Sequence, residues 1–336
     1  KSFSDSKNVY PWERFPNEKY IMPKYQIIQQ DGKSSLVVSC MGLKDDDKES
    51  YFKKLYLLAK DFIDSSFDLS KNNKCENQLI SEFNKPDMES YKDKFNMVMQ
   101  HLRKGITNKL VLSRMKELTL HKPINIVSQI RLLRKRYSSC LNFIIDYPGN
   151  GAFLGSSPES LIKFKNNLIE CDALAGTGSK NKLNVPIDSK KNKNEHAIVL
   201  EYLVKELSPL CVEISASKKP SIMSLKNVDH LISKVEGVVK DQTHILDLTN
   251  LIHPTPAVSG NPKENSVNAI EEIEDHCRGW YAGPIGWFNK RGWGEMNVAL
   301  RSCLVKDRKA FLFSGSGIVE GSNVNNEWEE TELKFL

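Results

Sequence analysis

Apolar residues recur at helical spacing over Met88, Tyr91, Phe95, Met99 and Leu102, and Gly105 follows where a helix stops. "NKLVLSR" then alternates, with Leu110 and Leu112 on one face and Lys109, Val111 and Ser113 on the other, which predicts a strand. "CLNFIIDYPGNGAFLGSSPESLIKFKNNLIECDAL" reads as successive strands, with turns at Pro148-Gly149-Asn150-Gly151 and at Lys165-Asn166-Asn167. "EHAIVLEYLVKELSPL" predicts a helix ending near Pro209. "HILDLTNLI" and "SVNAIEEIEDHC" predict two more. The tail from "GPIGWF" to "SGSGIV" reads as strands, and "NEWEETELKF" as a closing helix. Before Met88 the pattern is weaker: "KSSLVVSCMGL" reads as a strand and "ESYFKKLYLLAKDFIDSS" as an amphipathic helix. Strand meanders interrupted by helices, without regular βαβ alternation, predict an α+β fold with large antiparallel sheets.

One connection departs from ordinary loop chemistry. "LIHPTPAVSGNPKE", from Leu251 to Glu264, places three prolines, a histidine and a glycine between two helical patterns. It reads either as a surface loop or as a stiff wall of a cleft.

Composition narrows the class. The chain has 336 residues, 40% hydrophobic and 27% charged, enough for a large core. It has no run of about twenty apolar residues, so no membrane-spanning helix is expected. "KSFSDSKNVYPWERF" has no apolar signal-peptide core. The seven cysteines are an odd number without a C-x-x-C pair, which argues against a disulfide framework or a zinc site and for a reducing, cytoplasmic setting. The net charge of +6 is largely lysine, densest in "SKNKLNVPIDSKKNKNEH". That stretch has no aromatic residue for base stacking, so it reads as a solvated loop, and no nucleic-acid partner is expected.

Several positions could carry chemistry. Lys109 is an exposed strand lysine or, if buried, a general base with a lowered pKa. Glu159 in "GSSPES" is turn chemistry or a proton donor into a cleft. Glu327, Glu330 and Lys334 are three and then four apart and share one helical face, while Trp328, Thr331 and Phe335 occupy another. Glu195 is placed at the opening of a helix, where a carboxylate also complements the helix dipole. Carboxylates gathered from separate helices suit Mg²⁺, and a solvated Glu-rich face explains the same residues. Gly315 and Gly317 in "SGSGIV" would let backbone N–H groups approach an anion. Arg301 shares a strand face with Ala299 and Cys303 and needs an anionic partner. His230 reads as a satisfied structural histidine.

Taken in order, "KLVLSR", "FLGSSPESL", "ALAGT", "EHAIVLEYL", "VDHLISKVEG", "HPTPAVSGNPK", "RGWYAGPIGW", "VALRSCL", "SGSGIVEGSN" and "EWEETELK" closely resemble motifs of the chorismate-utilising enzymes, and among them the isochorismate synthases. The resemblance runs from about Met88 to the C-terminus, and "ERFPNE" is the best match before it. It implies an anthranilate synthase component I-like fold, with two large antiparallel sheets packed between outer helices and the active site in a deep cleft. Residues 1–87 would be the N-terminal part of that sandwich and 88–336 the chorismate-binding catalytic core.

The resemblance also implies roles. Lys109 falls on the base that activates water and Glu159 on the acid that protonates the departing 4-hydroxyl. Glu195 and Glu330 fall on Mg²⁺ ligands, with Glu327 close by. Gly176, Ala257, Arg301, Gly315 and Lys334 fall on substrate-contacting positions, with the Gly317 amide beside them, and His230 on the active-site histidine. Ala257 makes "HPTPAVSG" a cleft wall. The implied reaction is attack of water on C2 of chorismate, giving isochorismate for menaquinone or siderophore synthesis in a monomeric enzyme.

Lysine at 109 differs from the glutamine usual in relatives that use ammonia, and Ala175 stands where aminodeoxychorismate-forming relatives carry lysine. Ala257 stands where salicylate synthases typically carry threonine, which leaves salicylate synthase as the second reading. The chain departs from the family at Asn192, often acidic, and at "GSK" after Ala175-Gly176-Thr177, usually arginine-rich.

Overall fold

The structure, a computed structural model, describes residues 9–39, 47–64, 77–179, 186–225, 228–240 and 242–335. They group into two compact units, Glu18–Cys75 and the union of Lys1–Asn17 with Glu76–Leu336.

The smaller unit holds a hairpin of β1 (Tyr25–Gln30) and β2 (Lys33–Val38), then α1 (Lys48–Asp64). The strand expected in "KSSLVVSCMGL" ends at Val38, and Cys40 to Gly42 lie outside the described residues. α1 has the expected amphipathic pattern but no buried residue.

The larger unit begins with β3 (Leu79–Lys85), α2 (Met88–Arg103), β4 (Lys109–Leu120) and α3 (Ile126–Arg136). Next come β5 (Leu141–Tyr147), β6 (Gly151–Ser157), β7 (Ser160–Lys165), β8 (Leu168–Ser179) and α4 (Lys190–Leu207). β9 (Cys211–Ala216), β10 (Ser221–Ser224), β11 (Val228–Val239), α5 (Ile245–Ile252), β12 (Gly260–Asn261) and α6 (Lys263–Ile273) follow. β13 (Pro284–Phe288), β14 (Gly294–Val298), β15 (Ser302–Lys306), β16 (Lys309–Ile318) and α7 (Val324–Phe335) complete it.

The strands form two seven-stranded antiparallel sheets. One runs β10-β11-β8-β7-β14-β13, with β9 also on β11. The other runs β12-β4-β16-β15-β6-β5, with β3 also on β4. This is the α+β architecture expected from the pattern. α2 starts where Asp87 caps it, its carboxylate accepting from Ser90 N at 2.9 Å, and Gly105 leaves it at a left-handed φ of 67°.

β3 and the segment before Asn17 belong with everything after Met88, so the compact unit reaches further upstream than the motif matches. Trp12 and Phe15 are the reason. Both are buried in the main core, where Trp12 meets the rings of Phe15, Phe153, Trp280 and Phe313 at 5.2 to 6.3 Å. Gly279 turns at a φ of 54° directly against the Trp12 indole, where any Cβ would overlap the ring.

Truncating this indole should therefore cost about 3–5 kcal/mol, the usual range for a buried aromatic. Urea unfolding of Trp12→Ala is expected to show that loss, and a change below about 1 kcal/mol would mean that the N-terminal segment is not part of the core.

Candidate active site

β4 enters the interior at its first residue. Lys109 to Met115 are buried on both faces, so the alternation in "NKLVLSR" does not separate a core face from a wet one. Lys109 is not an exposed strand lysine: it is 0% exposed, and its Nζ lies 3.1 Å from Glu195 Oε1. The pair has ion-pair distance without hydrogen-bond geometry. Burial lowers the Lys109 pKa, with Glu195 opposing the shift.

Glu195 comes from α4. Ser189 caps that helix, accepting from Asn192 N at 3.2 Å, so the helix begins at Lys190 and Glu195 lies in its second turn rather than its first. Burial works against charge on Glu195, but Lys109 and Lys191 outweigh it and hold the carboxyl down at about 2. Lys191 corrects the reading of the lysine-rich stretch. Residues 180–185 lie outside the described residues, but Lys191 sits in α4 with its Nζ 3.0 Å from Glu327 Oε1 and 3.5 Å from Glu195 Oε2. A charge run on a helix looks solvated in sequence; here one of its lysines points at two buried carboxylates.

α7 supplies Glu327, Glu330 and Lys334 from one face, as their spacing predicted. Lys334 Nζ donates to Glu330 Oε1 at 2.6 Å and to Gly315 O at 2.8 Å. The other face grips Arg114, whose guanidinium stacks 3.1 Å from the Trp328 ring centroid and donates to Thr331 Oγ1 at 2.6 Å. This fixes the helix over β4 and β16. Burial pushes Glu327 up to about 7, with Lys191 opposing.

Glu159 lies between β6 and β7 after Pro158, 3% exposed. Burial pushes its carboxyl up to about 8, so it is protonated at neutral pH and can donate.

Arg301 does not sit in a strand. It stands before β15 at a left-handed φ of 49°. Its recorded partner is a histidine instead of an anion: Arg301 Nη2 donates to His230 Nε2 at 3.2 Å. The His230 proton then belongs on Nδ1, 3.3 Å from Thr177 Oγ1. Burial, with help from Arg301 and Lys334, lowers the His230 pKa well below the usual value and keeps the ring neutral.

Two glycines work by absence of a side chain. Gly176 has a φ of 78°, and a Cβ there would meet Asn192 O at 2.8 Å. Asn192 itself donates to Thr177 O at 3.1 Å, tying α4 to the end of β8. Gly317 was expected to present its amide to an anion. A Cβ there would overlap the Glu195 carboxylate and lie 2.9 Å from Lys109 Cε, so the glycine is also the space in which that ion pair forms.

The "HPTPAVSG" segment, which its composition left open between a surface loop and a wall, contributes Ala257 and Val258 to the lining of a cleft. Lys263 Nζ donates to Leu251 O and His253 O, and Arg278 Nη1 to Val258 O at 2.7 Å. Glu159, Gly176, Glu195, His230, Ala257, Arg301, Gly315, Gly317 and Lys334 all line one cleft, together with Ala175. Lys109 does not line it, but its partner Glu195 does. Glu327 and Glu330 line a neighbouring cavity with Lys191, and Thr177 borders both. Tyr281 was not singled out. It lies inside "RGWYAGP", stacks on Phe313 at 5.4 Å and lines the cleft.

Among the described residues no three acidic, His or Cys side chains already stand at metal-holding geometry. The donor chemistry nevertheless fits a hard divalent cation. Glu195, Glu327 and Glu330 are buried carboxylates, the first two facing the Lys191 ammonium, and Glu327 Oε2 has no hydrogen-bond partner.

The chain belongs to the chorismate binding enzyme family, whose pattern matches residues 1–336. It is 31% identical over 334 residues to isochorismate synthase MenF of Bacillus subtilis (strain 168), covering 96% of this chain and 69% of that protein. It is similar to the solved structure of MenF, the menaquinone-specific isochorismate synthase from Escherichia coli, with a TM-score of 0.80 and 25% identity over 93% of this chain and 73% of that one. The structure of anthranilate synthase component I from Streptococcus pneumoniae TIGR4 shares the fold at a TM-score of 0.75 and 22% identity, over 93% of this chain and 71% of that one.

Two measurements test this geometry. Glu159 has a folded pKa of about 8, above its ordinary value of 4.5, so the folded state holds its proton while the unfolded state loses it. The sign follows: stability falls as pH rises from about 4.5 to 8. Glu159→Gln does not titrate there. Its Tm relative to wild type should rise between pH 5 and pH 8 in calorimetry, and a difference independent of pH would contradict the buried neutral acid. Gly317→Ala should lower kcat/KM by about 10²-fold, the scale of a displacement near 1 Å, with the far-UV circular dichroism unchanged. Full activity in that variant would show that the Lys109–Glu195 spacing is not required.

Proposed function

We propose that the protein is an isochorismate synthase, converting chorismate to isochorismate. The observation that carries this reading is the burial of both a lysine and a carboxylic acid at one cleft: Glu159, 3% exposed, lines it, and Lys109, 0% exposed, stands behind its lining residue Glu195, with burial lowering the lysine's pKa and raising the acid's. The two environments push the groups toward base and acid at the same pH.

In the proposed reaction Lys109, in its deprotonated form, takes a proton from water as the water oxygen bonds to C2. The ring double bonds shift, and the C4–O bond breaks. Glu159 gives its proton to the departing 4-hydroxyl, which leaves as water. Atoms balance, and the product is an isomer of the substrate. Arg301, donating to a neutral histidine, retains its positive charge for a substrate carboxylate, and Lys334 lines the same cleft. A bound Mg²⁺, held by Glu195 and Glu330 with Glu327 beside them, would supply charge neutralisation for the ring carboxylate.

Ala175 and Ala257 both line the cleft with methyl groups. Neither offers an amine nucleophile, and the wall carries no hydroxyl at 257. Release of isochorismate is therefore favoured over pyruvate elimination.

Incubation with chorismate and Mg²⁺ should yield isochorismate by chromatography, in reversible equilibrium with chorismate. Pyruvate and salicylate formed at the rate of chorismate loss would establish the salicylate synthase reading instead. Lys109→Ala and Glu159→Gln should each cost about 10²–10⁴-fold in kcat. EDTA should abolish turnover and Mg²⁺ restore it, whereas full turnover in metal-free buffer would refute the metal requirement.

A further inference from the structure

We propose that Lys191 is the resident cation of the carboxylate centre, and that a divalent cation binds there only by displacing its ammonium. This rests on the metal reading given above and adds a residue to it.

The geometry is that of an ion shared between two helices. Lys191 Nζ lies 3.0 Å from Glu327 Oε1 on α7 and 3.5 Å from Glu195 Oε2 on its own helix. An ordinary surface lysine four residues before a glutamate would pair along its helix and remain wet. This side chain is 16% exposed and reaches across to a second, almost fully buried glutamate.

The carboxylates are otherwise divided. Glu195 Oε1 faces Lys109, Glu330 Oε1 is held by Lys334, and Glu327 has no other cation within ion-pair distance among the described residues. A divalent ion held by Glu195 and Glu330, with Glu327 beside them, would meet the same carboxylates. It would compete for the oxygens that the ammonium now faces, and two cations in that space repel.

The lysine has somewhere to go. The neighbouring cavity is lined by Lys191, Glu327, Ser322, Asn323 and Asn326, whose hydroxyl and amide oxygens can receive an ammonium. Its flexible four-carbon stem makes that swing a change of rotamer without movement of the backbone.

The consequence is a tax on metal affinity. A site open only one-tenth of the time shows about tenfold weaker apparent binding. Removing the competing ammonium removes that loss.

The test needs no substrate. Mn²⁺ is titrated into the metal-free full chain, and free Mn²⁺ is read by electron paramagnetic resonance. Lys191→Met should bind one Mn²⁺ at least about tenfold more tightly than wild type, and Lys191→Arg, which keeps the charge, no more tightly. The metal-free Met variant should also melt below wild type and gain more in Tm from Mn²⁺. Should it not fold without metal, Lys191→Gln gives the same comparison. Equal or weaker Mn²⁺ binding in the folded neutral variants, alongside normal isochorismate formation by wild type, overturns the displacement alone. No saturable Mn²⁺ binding by any of the proteins overturns the metal reading with it.

Discussion

Charge balance in a buried interior is the constraint on which this site depends. Three lysine side chains, Lys109, Lys191 and Lys334, meet three carboxylates, from Glu195, Glu327 and Glu330. Any one of them alone would be costly to bury, and together they offset one another. The six side chains come from β4, α4 and α7, so satisfying the charges also fixes where the strand and the two helices lie. The glycine at 317 follows from the same constraint, since the Lys109–Glu195 contact occupies the volume a side chain would fill. So does the Arg114 clamp, which holds α7 by its far face and leaves the acidic face turned inward.

Much of this was legible in the sequence, because periodicity reports burial when one face of an element is wet. α2, α5 and the face shared by Glu327, Glu330 and Lys334 follow from spacing alone. The pattern failed where both faces are covered. In β4 the polar positions are as buried as the leucines, so alternation could not distinguish Lys109 from a solvent-facing lysine. Its identification came from the resemblance of ordered motifs.

Two further positions were hidden for different physical reasons. Lys191 lies in a run of lysines and asparagines, and no local property separates the one that crosses to another helix from those that stay in water. Arg301 was placed on a strand face by alternation, but the chain kinks there into the left-handed region, at a φ of 49°, and delivers the guanidinium to His230. A single left-handed residue between β14 and β15 leaves no compositional trace unless it is glycine. The stiffness of the 251–264 segment, in contrast, was legible because proline and glycine carry their conformational restriction in the sequence, and the resemblance then chose a cleft wall over a surface loop.

The fold itself does not decide the chemistry. An anthranilate synthase component shares it at a TM-score of 0.75. What separates the outcomes within one scaffold must lie in side chains at the cleft, and the proposed reading turns on two small, unreactive residues that line it, Ala175 and Ala257. Ala175, 7% exposed, lies within a buried stretch of β8 and lines the cleft. Ala257 lines the same cleft, in a segment held by Arg278 on Val258 O and Lys263 on His253 O. With both positions reduced to methyl groups, the proposed nucleophile is water rather than a side-chain amine. Its activation falls to Lys109, which can serve because the same burial that forces the charges to balance also lowers its proton affinity.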